Sequence, residues 1–181
     1  PLAKTNYDLG SDGQPIVFAN NYLVRGSYTT LPESGGNRRT IRLSASLGEF
    51  EPATFSVRAT GRELHNVRAK VIGDLKTDRG DVIPASKIEI RNVELWRRQL
   101  NTRQHMYMER FLEKQTALDV TRHTTRRFWL TVHVPERARG GLYRTRIGIT
   151  ADGSPITNLD LQLQVLPFRL QRAAGMGYFM Y

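Results

Sequence analysis

The chain has 181 residues, 39% of them hydrophobic and 24% charged, with 27 Lys and Arg against 17 Asp and Glu for a formal net charge of +10. That length and apolar content support one packed domain and exclude a disordered chain, and no apolar stretch reaches the roughly 18 residues that a membrane-spanning helix needs. Cysteine is absent, which excludes a disulfide framework, thiolate metal sites and a Cys nucleophile.

Residues 1–15 read as a lead-in without a signal-peptide pattern, and Ile16 to Val24 supply an early strand. From Thr40 onward the apolar period is two, as expected of strands with one buried face. Ile41, Leu43, Ala45 and Leu47 alternate with polar residues, and after Gly48 so do Phe55, Val57 and Ala59, giving two strands joined by a short turn. A third run, Val67 to Val71, ends near Gly73-Asp74, and Asp78-Arg79-Gly80-Asp81 marks a loop. In a fourth run Ile88 and Ile90 share one parity while Val93 and Leu95 hold the other, which predicts a bulge near Arg91-Asn92 that turns all four inward. Between Arg98 and Arg127 the alternation breaks, and Met106, Met108, Phe111, Leu112 and Leu118 fit a turn or two of amphipathic helix within a long excursion. Three clear runs follow: Phe128 to Val134, Tyr143 to Ile149 and Leu159 to Val165, with Asp152-Gly153-Ser154-Pro155 turning between the last two.

Strands recurring every 10–20 residues or so without helical crossovers favour two sheets packed face to face. The predicted fold is all-β, an immunoglobulin-like antiparallel β-sandwich of about eight strands over residues 16–170, with one long, partly helical excursion. Residues 171–181 read as a linker into an apolar segment, Gly175 to Tyr181, which looks like the severed first strand of a following domain.

No catalytic constellation emerges. Glu49 and Glu51 share one face if extended, and paired carboxylates are the minimum for glycosidic acid–base chemistry, but Gly-Glu-Phe-Glu-Pro is better read as turn chemistry with solvated charges. Glu109 and Glu113 read as an exposed helical face beside Arg110 and Lys114. The histidines, at 65, 105, 123 and 133, share no metal-ligand spacing, so neither a metal nor another cofactor is expected. No Gly-x-Ser-x-Gly elbow or phosphate-binding loop occurs.

Trp129 and His133 fall on the outward parity of their strand, and Trp96 ends its own beside Arg97 and Arg98. These five are the candidate contacts, either with carbohydrate, on which an indole face can stack, or with a neighbouring domain. Tyr178, Phe179 and Tyr181 are candidates for inter-domain or self-association contacts. Arg97, Arg98, Arg103, Arg110, Arg122, Arg126 and Arg127 form a basic run that suits acidic glycans or an acidic protein patch; nucleic acid is disfavoured because no reader motif accompanies them.

Four stretches, GEFEPATFSVRA (Gly48 to Ala59), IPASKIEIRNVELW (Ile83 to Trp96), RFWLTVHVPERARGGLYRTRIGITADG (Arg127 to Gly153) and LDLQLQVLPFRL (Leu159 to Leu170), resemble the N-terminal β-sandwich of bacterial proteins related to glycoside hydrolase family 123. The resemblance implies a non-catalytic accessory domain of a secreted, periplasmic or cell-surface protein, packing on a catalytic barrel that carries the acidic machinery, with polysaccharide a further candidate partner. No catalytic residue transfers onto this chain. Two other readings stay open: a self-assembling or adhesive immunoglobulin-like module of the cell envelope, and a module binding polyanions, whether acidic glycan or nucleic acid.

Overall fold

The period-two alternation is realised as two sheets in the computed structural model, which describes residues 13–32, 39–99, 101–103, 105–114, 117–171 and 175. Among them the strands are β1 (Ile16–Asn20), β2 (Thr40–Ala45), β3 (Phe50–Arg58), β4 (Leu64–Lys76), β5 (Val82–Ile83), β6 (Ile88–Gln99), β7 (His105–Lys114), β8 (Leu118–Val120), β9 (Thr125–His133), β10 (Gly141–Ala151) and β11 (Ser154–Val165). One sheet has the order β1-β3-β9-β6-β7 and the other β2-β11-β10-β4-β5, with β8 alongside β4. Their inner faces interdigitate in a single core. Phe55, Val57, Phe128, Leu130 and Val132 from the first sheet and Ile147, Ile149, Leu161, Leu163 and Val165 from the second are all buried. Phe55 and Phe128 stack with ring centroids 5.0 Å apart.

Four expectations need correction. The excursion is not helical: β7 pairs with β6, and β8 with β4. The apolar residues from Met106 to Leu112 satisfy either period, and the unpaired edge of the long β6 decides for a strand. Among the described residues eleven strands stand in place of about eight, and one pair is parallel, β2 against β11 (Ile41 opposite Leu161, Leu43 opposite Leu163). The Ser46–Glu49 turn carries the chain from β2 across to β3 in the other sheet instead of closing a hairpin, which leaves β2 running alongside the last strand. Nor does the third run end at Gly73: β4 bulges there, with Gly73 at φ +77°, and continues to Lys76.

The bulge in β6 also differs from expectation. β6 stays in register with β9 from Ile88 opposite Val132 to Asn92 opposite Phe128, so Val93 and Leu95 keep their outward parity. They need no inversion because the segment at 24–30 covers that outer face. The break lies further on, where Glu94 faces Phe111 but Leu95 faces Glu109, leaving Arg110 of β7 unmatched.

The Asp152-Gly153 connection is a two-residue hairpin turn with φ +48° and +76°, the type I′ geometry that matches strand twist. At the opposite end of β10, the Tyr143 hydroxyl donates to the Arg139 carbonyl at 2.9 Å and pins the Gly140-Gly141 entry to the strand.

Candidate contact surfaces of the five-stranded sheet

Register places Phe18 beside Ser56 and Ser56 beside Arg127 on the outer face of the five-stranded sheet. Residues 21–30 cross this face as a strap. Thr125 donates through its backbone N–H to the Tyr28 carbonyl (2.8 Å) and through Oγ1 to the Thr30 carbonyl (2.7 Å). Tyr22 meets Trp129 edge to face at 5.9 Å, and Tyr28 meets Tyr107 likewise at 5.1 Å.

Beneath the strap lies an ion pair. Arg127 Nε is 3.1 Å from Glu109 Oε1, and Arg127 Nη1 donates to Glu109 Oε2 at 3.1 Å and to the Val24 carbonyl at 2.8 Å. Gly26 N–H donates to the same Glu109 carboxylate at 3.0 Å. The Arg127 side chain is 6% exposed and that of Glu109 18%. Burial lowers the Arg127 pKa from its ordinary value, with Glu109 opposing, and an arginine so placed keeps its charge. Glu109 thus reaches inward under the strap from a strand, rather than sitting on an exposed helical face. One signal was visible: Arg127 shares the outward parity of Trp129.

A side chain at position 26 has no room, since a Cβ there would run into the Glu109 carboxylate and lie 2.8 Å from the Arg127 guanidinium. Gly26→Ala is therefore expected to destabilise the domain by about 1–3 kcal/mol, the range for overpacking a filled site. Urea unfolding followed by circular dichroism measures it, and an unchanged midpoint would show that the strap is not seated on the pair.

The predicted contact residues fall in three places. Trp129 lies half-buried on the outer face, where Tyr22 of the chain itself takes its edge. His133, on the same face at the far end of β9, stacks on Phe50 with centroids 4.2 Å apart and planes 5° apart. Trp96, Arg97 and Arg98 are exposed on β6, beyond its last β9 partner. Tyr178, Phe179 and Tyr181 lie outside the described residues.

Of the carboxylates considered as catalytic, Glu49 and Glu109 have structural work. Glu49 Oε2 accepts from Ser46 N–H (2.7 Å) and Ser46 Oγ (3.0 Å), closing the turn at Gly48, while burial and the Glu49 charge raise the Glu51 pKa. His65 sits on the surface, 3.0 Å from Glu63 and 3.3 Å from Asp119; the hydrogen bond to Asp119 leads the causes that raise its pKa. Among the described residues no group of three or more His, Asp or Glu side chains is arranged to hold a metal ion.

Residues 30–151 match the glycoside hydrolase 123 N-terminal domain, two-thirds of the sequence. The chain belongs to that family. A family 123 glycoside hydrolase from Clostridium perfringens, described for glycolipid glycan hydrolysis, superposes with a TM-score of 0.72 at 16% identity, covering 86% of this chain and 27% of that enzyme. The chain thus spans about a quarter of that enzyme's length. A PapD-like domain of human CEP192 (TM-score 0.40, 12% identity, 80% of this chain and 99% of that one) is a looser likeness. So is a type I cohesin from Pseudobacteroides cellulosolvens (TM-score 0.34, 11% identity, 76% and 97%). No curated relative matches the chain.

In this glycoside hydrolase 123 N-terminal domain the matched span runs from the end of the strap through β10. It contains both members of the Arg127–Glu109 pair but leaves Val24 and Gly26, which cover it, outside.

Proposed function

We propose that this domain is a non-catalytic sandwich that packs on a catalytic domain of the same polypeptide and braces it. Family membership over residues 30–151 carries the reading, together with a first structural neighbour of which this fold makes up only 27%. The end of the sandwich where β11 finishes offers a seat. Phe50, Phe168 and Leu170 are exposed there. The backbone around them is fastened by Leu47 N–H to the Phe168 carbonyl (2.9 Å) and Leu166 N–H to the Ala45 carbonyl (2.9 Å). Glu136 and Arg169 form an ion pair at 2.7 Å beside it. An apolar patch with a polar rim, on rigid backbone, is what an inter-domain contact requires.

In the full-length polypeptide, Phe50→Ser combined with Leu170→Ser is expected to separate one cooperative thermal unfolding transition into two, with the sandwich transition at the temperature shown by the isolated domain. An unaltered single transition would overturn this seat. Hydrolysis of aryl glycosides by the isolated chain, or concentration-dependent sedimentation showing self-association, would overturn the accessory reading itself.

A further inference from the structure

The β6–β7 hairpin is longer than the sheet that carries it. β9 partners β6 only as far as Asn92, after which the two strands pair with each other alone up to Gln99 opposite His105. β9 runs alongside the first of these residues to its own start at Thr125, and at about 3.3 Å per residue the part from Leu95 to Gln99 reaches some 13 Å beyond it. Isolated two-stranded ribbons are marginal in water, and this one is held at its root, where Glu94 pairs with Arg126 (2.7 Å) and Glu109 with Arg127.

One face of this arm continues the inward parity of the sheet past the core. It carries Trp96 opposite Met108 and Arg98 opposite Met106. Trp96, 59% exposed, leans on exposed Phe111 with centroids 5.3 Å apart and planes tilted 51°. The unmatched residue Arg110 sits next to Phe111; a bulge of this kind re-aims side chains, and Arg110 lines a groove with Trp96, Arg97, Arg98, Met108, Phe111 and Glu109, the last already held by Arg127. The groove is open to solvent, with a volume of about 560 Å³.

The charges around it are unbalanced. Glu94 and Glu109 are engaged by Arg126 and Arg127, and Glu113, opposite Asn92 at the root of the arm, is the other carboxylate close in sequence. Among the described residues no carboxylate lies within ion-pair distance of Arg97, Arg98, Arg103 or Arg110. A second copy of the chain would bring a further +10 to the contact and is electrostatically the wrong partner.

We propose that the groove between Trp96 and Phe111 binds an acidic oligosaccharide. One sugar ring lies on the exposed indole face, and its carboxylate or sulfate groups take the guanidinium forks of Arg98 and Arg110. An exposed indole face flanked by arginines without a carboxylate partner matches a ligand that alternates ring faces with anionic groups. The site lies at the opposite end of the five-stranded sheet from Phe50 and His133, so it stands independently of the seat proposed above.

Isothermal titration of the isolated chain with hyaluronan and chondroitin sulfate hexasaccharides, with dextran and a 12-base-pair DNA duplex as controls, tests this. Saturable binding of at least one acidic hexasaccharide and none of dextran is expected. Trp96→Ala and the Arg98→Ser/Arg110→Ser pair should each weaken it about tenfold or more, as loss of a stacked ring or a charge-assisted hydrogen bond implies, while Trp96→Phe retains most of it. These side chains are exposed, and unchanged thermal midpoints verify that the variants fold. Equal binding of DNA, unaffected by Trp96→Ala, would reduce the surface to a general polyanion patch and overturn the proposal. So would equal binding of dextran, or no binding of either hexasaccharide, the result expected if the arm seats a protein instead.

Discussion

Replacing Arg127 with Met is expected to lower the stability of the domain by about 3–5 kcal/mol, the range for removing one partner of a buried pair. For a chain of this size that corresponds to a melting point about 6–20 °C lower. The reason is not the loss of attraction alone. Without the guanidinium, the Glu109 carboxylate stays under the strap with one backbone donor, Gly26, and the Val24 carbonyl loses its donor. The strap then keeps its bonds to Thr125 and its Tyr22 and Tyr28 ring contacts but loses its anchor at Val24, and the buried Val93 beside Gly26 becomes more accessible. Pairing Arg127→Met with Glu109→Leu removes both charges and should recover a large part of the loss, because an apolar pair of similar size needs no compensation. Differential scanning calorimetry on the singles and the double variant decides. If the double variant is as unstable as the sum of the singles, the pair is not what holds residues 21–30.

Phe128→Ala is expected to cost a comparable amount, about 3–5 kcal/mol, for an apolar reason. Phe128 is fully buried between the sheets and stacked on Phe55 at 5.0 Å, so truncation opens a cavity that two sheets pinned by their ladders cannot close. Phe128→Leu keeps much of the volume and should lose markedly less. The two losses differ in character: a hydrophobic cavity is insensitive to salt, so urea midpoints for Phe128→Ala measured with and without 0.5 M NaCl should shift in parallel with wild type. A salt-dependent loss would mean that the substitution acts through the neighbouring Arg127 rather than the core.

The parts of the fold that were legible in the sequence are those where the core face is apolar and the other face carries mainly polar residues. Phe128 to Val134 and Leu159 to Val165 alternate cleanly because β9 and β11 are inner strands of their sheets. Val93 and Leu95 misled because the strap covers the outer face as well; an apolar residue of the wrong parity was read as a bulge instead of a second covered surface. The segment from Met106 to Leu112 misled differently. Most of its side chains are exposed, so its spacing reflects the arm's surface and carries no core period. Among the contacts, the outward parity of Trp129 and His133 could be read directly. Their partners, Tyr22 and Phe50, could not, because nothing local joins residues that meet through sheet register or a crossing strap. Arg127 with Glu109 is the same case: two charges 18 residues apart meet because β9 and β7 flank β6.

The parallel pairing of β2 with β11 has a consequence for how the domain is made. Ile41 must wait for Leu161, 161 − 41 = 120 positions later, before the edge of its sheet can form. Closing so long a loop gives β2 no ladder partner until nearly the whole sandwich is present, which places this domain among slowly folding topologies. On the ribosome β2 emerges early and stays an unpaired apolar strand, exposed to wrong partners, until the last strand follows it out. The end bearing Phe168 and Leu170 is therefore assembled last. Whatever docks there can recognise only a domain whose folding is already finished.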